Sequence, residues 1–276
     1  MVYVTKHSGE REEFDPQKVE YALLRSGADK TLAQYITEEV KRRLYDGIKT
    51  GEIYAIAFEL LSKSDTHTAA RFGLKQAIMR LGPSGYTFEK FMSRVLAEYG
   101  YKTKINQTIP GRCALHEVDI VAENGKMKYM IECKYHNTQG MDTGLKEALY
   151  SFARFEDLRD AGNDFTAPWI ICNTKVTTEA VKYAECKGMR VTSWGYPPQG
   201  SLQELIDGKS LYPLTMLATL TEDEKNKLAN SGEVLLQDLI SMDARKLAEI
   251  TGVPEGKLKP LEEEIRGIAT NLPKGL

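Results

Sequence analysis

The stretch from Glu117 to Tyr135 constrains the fold most, because its pattern is typical of two strands joined by a tight turn. Asn124-Gly125 lies near its centre, and this pair favours a type I′ turn, in which both central residues have positive φ. We predict that the two arms pair about this turn, with Val118 facing Ile131. The other predicted pairs on this apolar face are Ile120 with Tyr129 and Ala122 with Met127.

The opposite face of the predicted hairpin is mostly charged, because side chains alternate between the two faces of a strand. It carries Glu117, Asp119, Met130, Glu132 and Lys134. Carboxylates at close range repel each other unless a hard cation lies between them, and Mg²⁺ prefers such oxygen ligands. An ordinary amphipathic hairpin with a solvated charged face shows the same alternation. Alternation alone leaves both interpretations open.

The order of the charged residues adds a second observation. Asp119 is followed by an apolar strand and then by Glu132-Cys133-Lys134. This order resembles the PD-D/E-x-K nuclease superfamily, with Val118 where the family name has proline. The flanking segments GYTFEKF, MIECKYH and NTKVTTEAVKYAECKGMRV resemble the Mrr-like branch of that superfamily. The resemblance implies a restriction-endonuclease-like α/β core with a mixed sheet over residues 84–214.

The same resemblance implies a catalytic site for hydrolysis of DNA phosphodiesters. Asp119 and Glu132 would ligate Mg²⁺ or Mn²⁺, with help from the Cys133 carbonyl. Lys134 would orient or activate the attacking water, and Glu89 matches a first-helix glutamate near the metal. A metal suits this reaction because it neutralises the phosphodiester and makes bound water a better nucleophile.

The N-terminal 83 residues show a different pattern, with two short predicted strands followed by four predicted helices. The segment DGIKTG is expected to be a break after the second helix, and the fourth helix is expected to run from Asp65 to Met79. The segments VTKHSGEREEFDPQKVEYAL, YDGIKTGEIY and TAARFGLKQA resemble the ATP-cone domain. The resemblance implies a site for ATP or dATP on Lys6, His7, Glu12, Lys18 and Thr50. His7 replaces the usual arginine, and imidazole offers fewer donors than guanidinium. No Walker A motif is present, so the nucleotide is expected to be an allosteric ligand rather than a fuel.

Residues 215–276 are predicted to form a small all-α module. The segment ITGVPEGKLK resembles a helix-hairpin-helix turn, which implies DNA phosphate contacts at Gly256 and Lys257. Acidic residues outnumber basic ones from Thr215 onward, whereas a DNA anchor usually leans basic. A protein-docking or dimerising helical module therefore remains an open alternative.

Composition excludes some classes of protein. The chain has 276 residues, of which 42% are hydrophobic and 28% charged, as in globular proteins. We find no signal peptide and no apolar run that could span a membrane, so we expect a cytoplasmic protein. The four cysteines are scattered without zinc spacing, which favours reduced thiols.

Together these patterns predict a multidomain α and α/β protein with domains at 1–83, 84–214 and 215–276. The predicted function is a Mg²⁺-dependent DNA endonuclease regulated by ATP or dATP. Two alternatives remain: a nucleotide-responsive DNA-binding regulator without catalysis, and a structure-specific repair or Holliday-junction nuclease. Cleavage of both strands by an enzyme with one site would suggest a homodimer.

Overall fold

The computed structural model describes residues 2–82, 85–125 and 127–270. The chain forms two compact units. The first unit contains the residues up to 77, residues 214–227 and the residues from 236 onward. The second unit contains residues 78–213 and 228–235. The domain boundary predicted at residues 83 and 84 lies outside the described residues.

The N-terminal part of the first unit combines a small sheet with helices, as the sequence predicts. Its elements are β1 (Tyr3–Thr5), β2 (Arg11–Glu13), α1 (Pro16–Arg25), α2 (Lys30–Arg42), β3 (Ile48–Lys49), α3 (Thr50–Ser64), α4 (Thr66–Phe72) and α5 (Leu74–Ile78). Asp15 caps α1 by accepting a hydrogen bond from the Gln17 N–H. Leu23, Ile36 and Leu61 are fully buried in its core.

Two details of this part differ from the sequence prediction. The segment that we expected to be only a helix break contains β3, which pairs in parallel with β1. The single helix expected from Asp65 to Met79 is divided at Gly73 into α4 and α5. Glycine has a low helix propensity, which favours a break at this position.

The second unit is an α/β structure with a mixed sheet, as the resemblance implies. Its elements are α6 (Gly85–Glu98), β4 (Lys102–Pro110), β5 (Leu115–Asn124), β6 (Met127–Lys134), β7 (Asp142–Thr143), α7 (Leu145–Asp160), β8 (Ala167–Cys172), β9 (Lys175–Val176), α8 (Thr178–Cys186), β10 (Arg190–Thr192) and α9 (Leu202–Gly208). The strand order is β10-β8-β6-β5-β4. Strands β4, β5 and β6 are antiparallel, whereas β6, β8 and β10 are parallel. A small parallel pair, β7 with β9, was not predicted.

The β5–β6 hairpin exists, but its predicted register is wrong by two residues. Ile120 pairs with Ile131 and Asn124 pairs with Met127. Asn124 is thus the last residue of β5, and Gly125 has a φ of 62°. The register is set by the buried pair Ile120 and Ile131 rather than by the preference of Asn-Gly for the two central turn positions. A shift of two residues does not by itself change the faces, because the side-chain period is also two. Val118 nevertheless lies in one buried cluster with Val121 and Met130, which were predicted on the other face.

The charged face of the hairpin is covered rather than solvated. Val121 and Met130 lie in a buried cluster with Phe155 and Leu158 of α7. Met130 is only 1% exposed. Helix α7 therefore packs over the face that carries the predicted catalytic carboxylates.

The C-terminal residues are helical, as predicted. They form a short 3₁₀ turn (Leu214–Met216), α10 (Glu222–Asn230), α11 (Leu236–Ile240), α12 (Ala244–Thr251) and α13 (Glu255–Thr270). Gly252 ends α12 with a φ of 75°, a left-handed cap that glycine favours. Helix α13 packs against α4, α11 and α12. Across the described ranges, no helix combines the length and the apolar character needed to cross a membrane.

Candidate active site

Asp119 lies on β5, and its side chain is tied to the neighbouring strand. Its Oδ2 accepts a hydrogen bond of 2.7 Å from the Cys133 N–H. Burial, and after it the nearby Glu132 carboxylate, raise the pKa of Asp119 to about 6. The charge of Glu132 therefore acts on Asp119, the other predicted metal ligand.

Glu132 lies on β6 between two cations. Its Oε1 accepts a hydrogen bond of 2.5 Å from the Lys134 Nζ, and its Oε2 accepts one from the Arg154 Nη1. Burial disfavours the charged form of Lys134, but the Glu132 carboxylate outweighs that effect and raises the pKa of Lys134. Lys134 is therefore a stable cation beside the carboxylate.

Arg154 is a component of this site that the sequence did not reveal to us. It lies on α7, is 7% exposed, and stacks over the Tyr150 ring at 5.3 Å. The available signal was an arginine within the apolar stripe of a helix, beside Phe155 and Leu158. Such a residue is rarely buried unless it is paired.

Glu89 on α6 belongs to the same cluster of charges. Burial, followed by the Asp119, Glu117 and Glu132 carboxylates, raises its pKa to about 7. The charges of Asp119 and Glu132 thus act on Glu89.

The donor chemistry of the cluster fits a hard cation. Among the residues that the structure describes, no group of three His, Cys, Asp or Glu side chains is arranged to hold a metal ion. The predicted set needs only two side chains, Asp119 and Glu132, with the main-chain carbonyl of Cys133. Two carboxylates and a carbonyl supply the oxygen ligands that Mg²⁺ and Mn²⁺ take. The Cys133 thiol is buried, and burial raises its pKa well above the usual value, so it stays protonated.

A cavity in the first unit collects three of the predicted nucleotide contacts. It has a volume of about 190 Å³, and Glu12, Lys18 and Thr50 line it. Tyr54 and Phe72 also line it, and their rings stack 5.1 Å apart at an angle of 3°. The sequence did not single out these two aromatic residues.

The other two predicted nucleotide contacts lie in or beside the β1–β2 turn. Lys6 forms ion pairs with Glu12 at 2.9 Å and with Glu10 at 3.0 Å. Glu12 also pairs with Lys18 at 3.2 Å, and its pKa is lowered mainly by the hydrogen bond from Lys6. Lys6 is therefore connected to the cavity through Glu12, whereas His7 is exposed in the turn.

The predicted DNA contacts in the C-terminal module have a different setting. Gly256 is exposed near the start of α13. The Lys257 Nζ contacts both carboxylate oxygens of Glu224, at 2.9 Å and 3.2 Å. The charge of Lys257 is thus already paired within the first unit.

Three family profiles match successive parts of the chain. Residues 2–75 match the ATP cone domain, residues 82–211 match a restriction endonuclease family, and residues 212–269 match the family described as AF1548-like, C-terminal. An uncharacterized protein of Archaeoglobus fulgidus is 44% identical over 159 residues, which are 58% of this chain and 89% of the relative. The chain belongs to the AF1548-like family.

A solved structure supports the AF1548-like assignment. The crystal structure of AF1548, titled as a protein of unknown function, matches with 39% identity and a TM-score of 0.60. The match covers 67% of this chain and 98% of that one. The predicted fusion of an ATP-cone with a restriction-endonuclease-like domain is confirmed by the profiles. No activity comes with the names of these AF1548-like relatives.

Proposed function

We propose that this protein is a divalent-metal-dependent DNA endonuclease whose activity responds to ATP or dATP. The observation that carries this proposal is the convergence of Asp119, Glu132 and Lys134, with Glu89 beside them. The restriction endonuclease profile over residues 82–211 supports DNA as the substrate. The ATP cone profile over residues 2–75 supports the nucleotide.

In this proposal Asp119, Glu132 and the Cys133 carbonyl hold Mg²⁺ or Mn²⁺. A bound divalent cation neutralises charge on the phosphodiester and lowers the pKa of bound water. Lys134 stays charged because Glu132 raises its pKa, so its ammonium donates to a phosphate oxygen or orients the attacking water. Its role is electrostatic rather than that of a base.

Glu89 is suited to move a proton. Its pKa of about 7 lies near a neutral working pH, where a carboxylate takes up and releases protons most usefully. Its carboxylate would accept a proton from the attacking water. Arg154 would hold the Glu132 carboxylate in place while Glu132 ligates the metal.

The nucleotide would bind at the cavity lined by Glu12, Lys18 and Thr50, with Lys6 and His7 at its margin. Lys6 and Lys18 would turn from Glu12 to the phosphates, because cations must offset the charge of a triphosphate. Tyr54 and Phe72 offer aromatic surface for the base. The four free cysteines fit the expected cytoplasmic location.

Two parts of the proposal concern binding partners. Contact of Gly256 and Lys257 with DNA phosphate requires Lys257 to exchange Glu224 for that phosphate. Cleavage of both strands of a duplex by an enzyme with one such site would suggest a homodimer.

The proposal is tested by nicking of supercoiled plasmid with and without Mg²⁺. The wild-type protein should nick DNA only with the metal, and Asp119→Ala should abolish nicking. Glu123→Ala is a matched control, because Glu123 is exposed four residues further along β5 and should leave nicking unchanged. DNA binding without any nicking would instead support the non-catalytic regulator.

The same assay tests nucleotide control and the type of DNA substrate. Rates with ATP, with dATP and without nucleotide should differ in the wild-type protein. A rate on branched DNA far above that on linear duplex would favour the structure-specific nuclease.

A further inference from the structure

The strongest unexplained feature of the first unit is the buried side chain of Arg71 on α4. It is 3% exposed. Its Nε donates to the Ser26 carbonyl at 2.7 Å, and its Nη2 donates to the Thr68 Oγ1 at 2.7 Å. Its Nη1 donates to the carbonyls of Gly267 and Ile268, at 3.0 Å and 3.2 Å. A guanidinium withdrawn from water must find such partners, so these contacts define its position.

The last two of these contacts cap the end of α13. Gly267 and Ile268 are among the last four residues of that helix, whose carbonyls have no partner inside the helix. A cation is also favourable at this negative end of the helix dipole. Arg71 therefore supplies α13 with a cap from the N-terminal part of the chain.

The fit between α13 and α4 is close at this point. A Cβ added to Gly267 would lie 2.2 Å from the Nε2 of His67, one helical turn before Arg71. Leu261, Ile265 and Ile268 of α13 are buried. The backbone of α13 thus lies directly against the His67 side chain of α4, and a larger residue at position 267 would require that ring to move.

Arg71 also connects α13 to two helices, α1 and α4, that contribute to the cavity lined by Glu12, Lys18 and Thr50, which we call the cone cavity. The next residue, Phe72, lines the cavity together with Tyr54. Ser26 caps the end of α1, and α1 contributes Lys18, Val19 and Ala22 to the lining of the same cavity. The Arg71 side chain on α4 is therefore hydrogen-bonded both to the end of α1 and to the C-terminal helix.

We propose that nucleotide occupancy of the cone cavity and docking of α13 are energetically coupled through Arg71. The coupling rests on the proposed nucleotide binding, and it identifies the C-terminal helix α13 as the element that responds to the bound nucleotide. A nucleotide that orders α1 and α4 also orders the anchors of Arg71, and so stabilises the docked α13. Linkage makes the effect reciprocal, so loosening α13 weakens nucleotide binding by the same factor.

The first test is hydrogen exchange on the full chain with and without saturating ATP, and again with dATP. Amides in the last two turns of α13 should exchange on the order of 5-fold more slowly with nucleotide, or slower still. Protection of α1 and α4 with no change in α13 would overturn the coupling.

The second test measures nucleotide affinity in two variants. Gly267→Ala pushes a methyl group into the His67 ring, and Arg71→Lys keeps the charge but cannot span Ser26 and α13 at once. Each should weaken ATP binding on the order of 5-fold or more. Glu263→Ala, an exposed position on α13, should bind like the wild-type protein. Wild-type affinity in both test variants would contradict the proposal.

The outcomes separate this inference from the function on which it rests. If labelled ATP and dATP do not bind the wild-type chain in equilibrium dialysis, the proposed nucleotide role is wrong and the coupling is wrong with it. If they bind without a response in α13, only the coupling is wrong. Exchange in the wild-type protein decides the question even if a variant fails to fold.

Discussion

Two clusters in this protein have the same pattern of charges but differ in burial. Each places one glutamate between two cations: Glu132 between Lys134 and Arg154, and Glu12 between Lys6 and Lys18. In the first cluster the side chains of Glu132 and Arg154 are 6% and 8% exposed. In the second the exposed fractions are 28% for Lys6, 30% for Glu12 and 63% for Lys18.

The difference in burial changes what each cluster can do. Loss of one partner from a buried pair leaves a charge without compensation in a poorly solvated place, which costs far more than the pair contributes. Water and salt replace a lost partner at the surface, where such pairs contribute little to stability. The Glu132 cluster is thus suited to hold a fixed geometry, and the Glu12 cluster is suited to exchange its partners for a ligand.

Removal of Arg154 should have the largest effect. Arg154→Met leaves Glu132 buried with one cation fewer, so we expect a loss of about 3–5 kcal/mol in the free energy of unfolding. Chemical denaturation measures it. Arg159→Met on the same helix is the control, because Arg159 is 55% exposed and its pair with Glu156 is loose, at 3.9 Å. A loss below about 1 kcal/mol would show that the two clusters do not differ as proposed.

The double variant sharpens this result. Replacement of Glu132 by Gln in the Arg154→Met background removes the carboxylate charge that lost its buried partner. If the buried charge is the cause, the double variant should be more stable than the sum of the two single losses implies. Strict additivity would point to lost packing of the arginine stem instead.

Loss of Lys134 should mainly affect catalysis. Lys134→Met should reduce the rate of plasmid nicking about 10²–10³-fold, the usual effect of removing one donor from a site of developing charge. The free energy of unfolding should fall by no more than about 1 kcal/mol, because Lys134 is 30% exposed and Arg154 still pairs with Glu132. Lys128→Met on the same strand is the control for nicking. Equal losses of rate in both variants would argue against a specific role for Lys134.

A change in the Glu12 cluster should alter the affinity for ATP rather than the free energy of unfolding. Lys18→Ala should weaken ATP binding about tenfold, or ~1.4 kcal/mol. It should change the free energy of unfolding by less than about 1 kcal/mol. Calorimetry and denaturation measure the two quantities. Lys63→Ala, which removes another exposed ion pair of the first unit, should change neither. A large loss of stability in Lys18→Ala would remove the contrast with the Glu132 cluster.

The two clusters were not equally predictable from the sequence. Alternation along β5 and β6 predicted Asp119, Glu132 and Lys134 on one face. In the structure Lys134 contacts Glu132, and Asp119 accepts a hydrogen bond from the Cys133 N–H. Val118 does not follow the predicted alternation, since it clusters with Val121 and Met130. Arg154 came from a helix that follows later in the chain, and no local pattern states which helix covers which face of a sheet. For the same reason the sequence suggested Lys18 but not Phe72, because the wall of a cavity depends on how helices pack together.

Replacement of Asp157 should have the smallest effect. The burial of its side chain is intermediate between that of the Glu132 cluster and that of the Glu12 cluster. Its side chain is 16% exposed and accepts hydrogen bonds from the Cys113 N–H at 2.8 Å and the Ala114 N–H at 3.2 Å. His116 Nε2 lies 2.7 Å from its Oδ2, and this contact is the main reason why the pKa of Asp157 is lowered to about 2. The pKa in the unfolded chain is about 3.9, so the stabilisation is present above that pH and is lost as the pH falls towards 2.

Thermal unfolding of the wild-type protein and Asp157→Asn should therefore differ most near pH 5, and the difference in Tm should shrink as the pH falls to 2. Asp160→Asn is the control, because Asp160 is 52% exposed and its contact with Arg112 is long, at 4.0 Å. A Tm difference that stays constant across this range would mean that Asp157 acts through the shape of the turn at residues 111–114 rather than through its charge. The charge of Asp157 would then contribute nothing to stability, in contrast to the charge of the buried Glu132. Partial burial alone would not be enough to make the contribution of a carboxylate to Tm depend on pH.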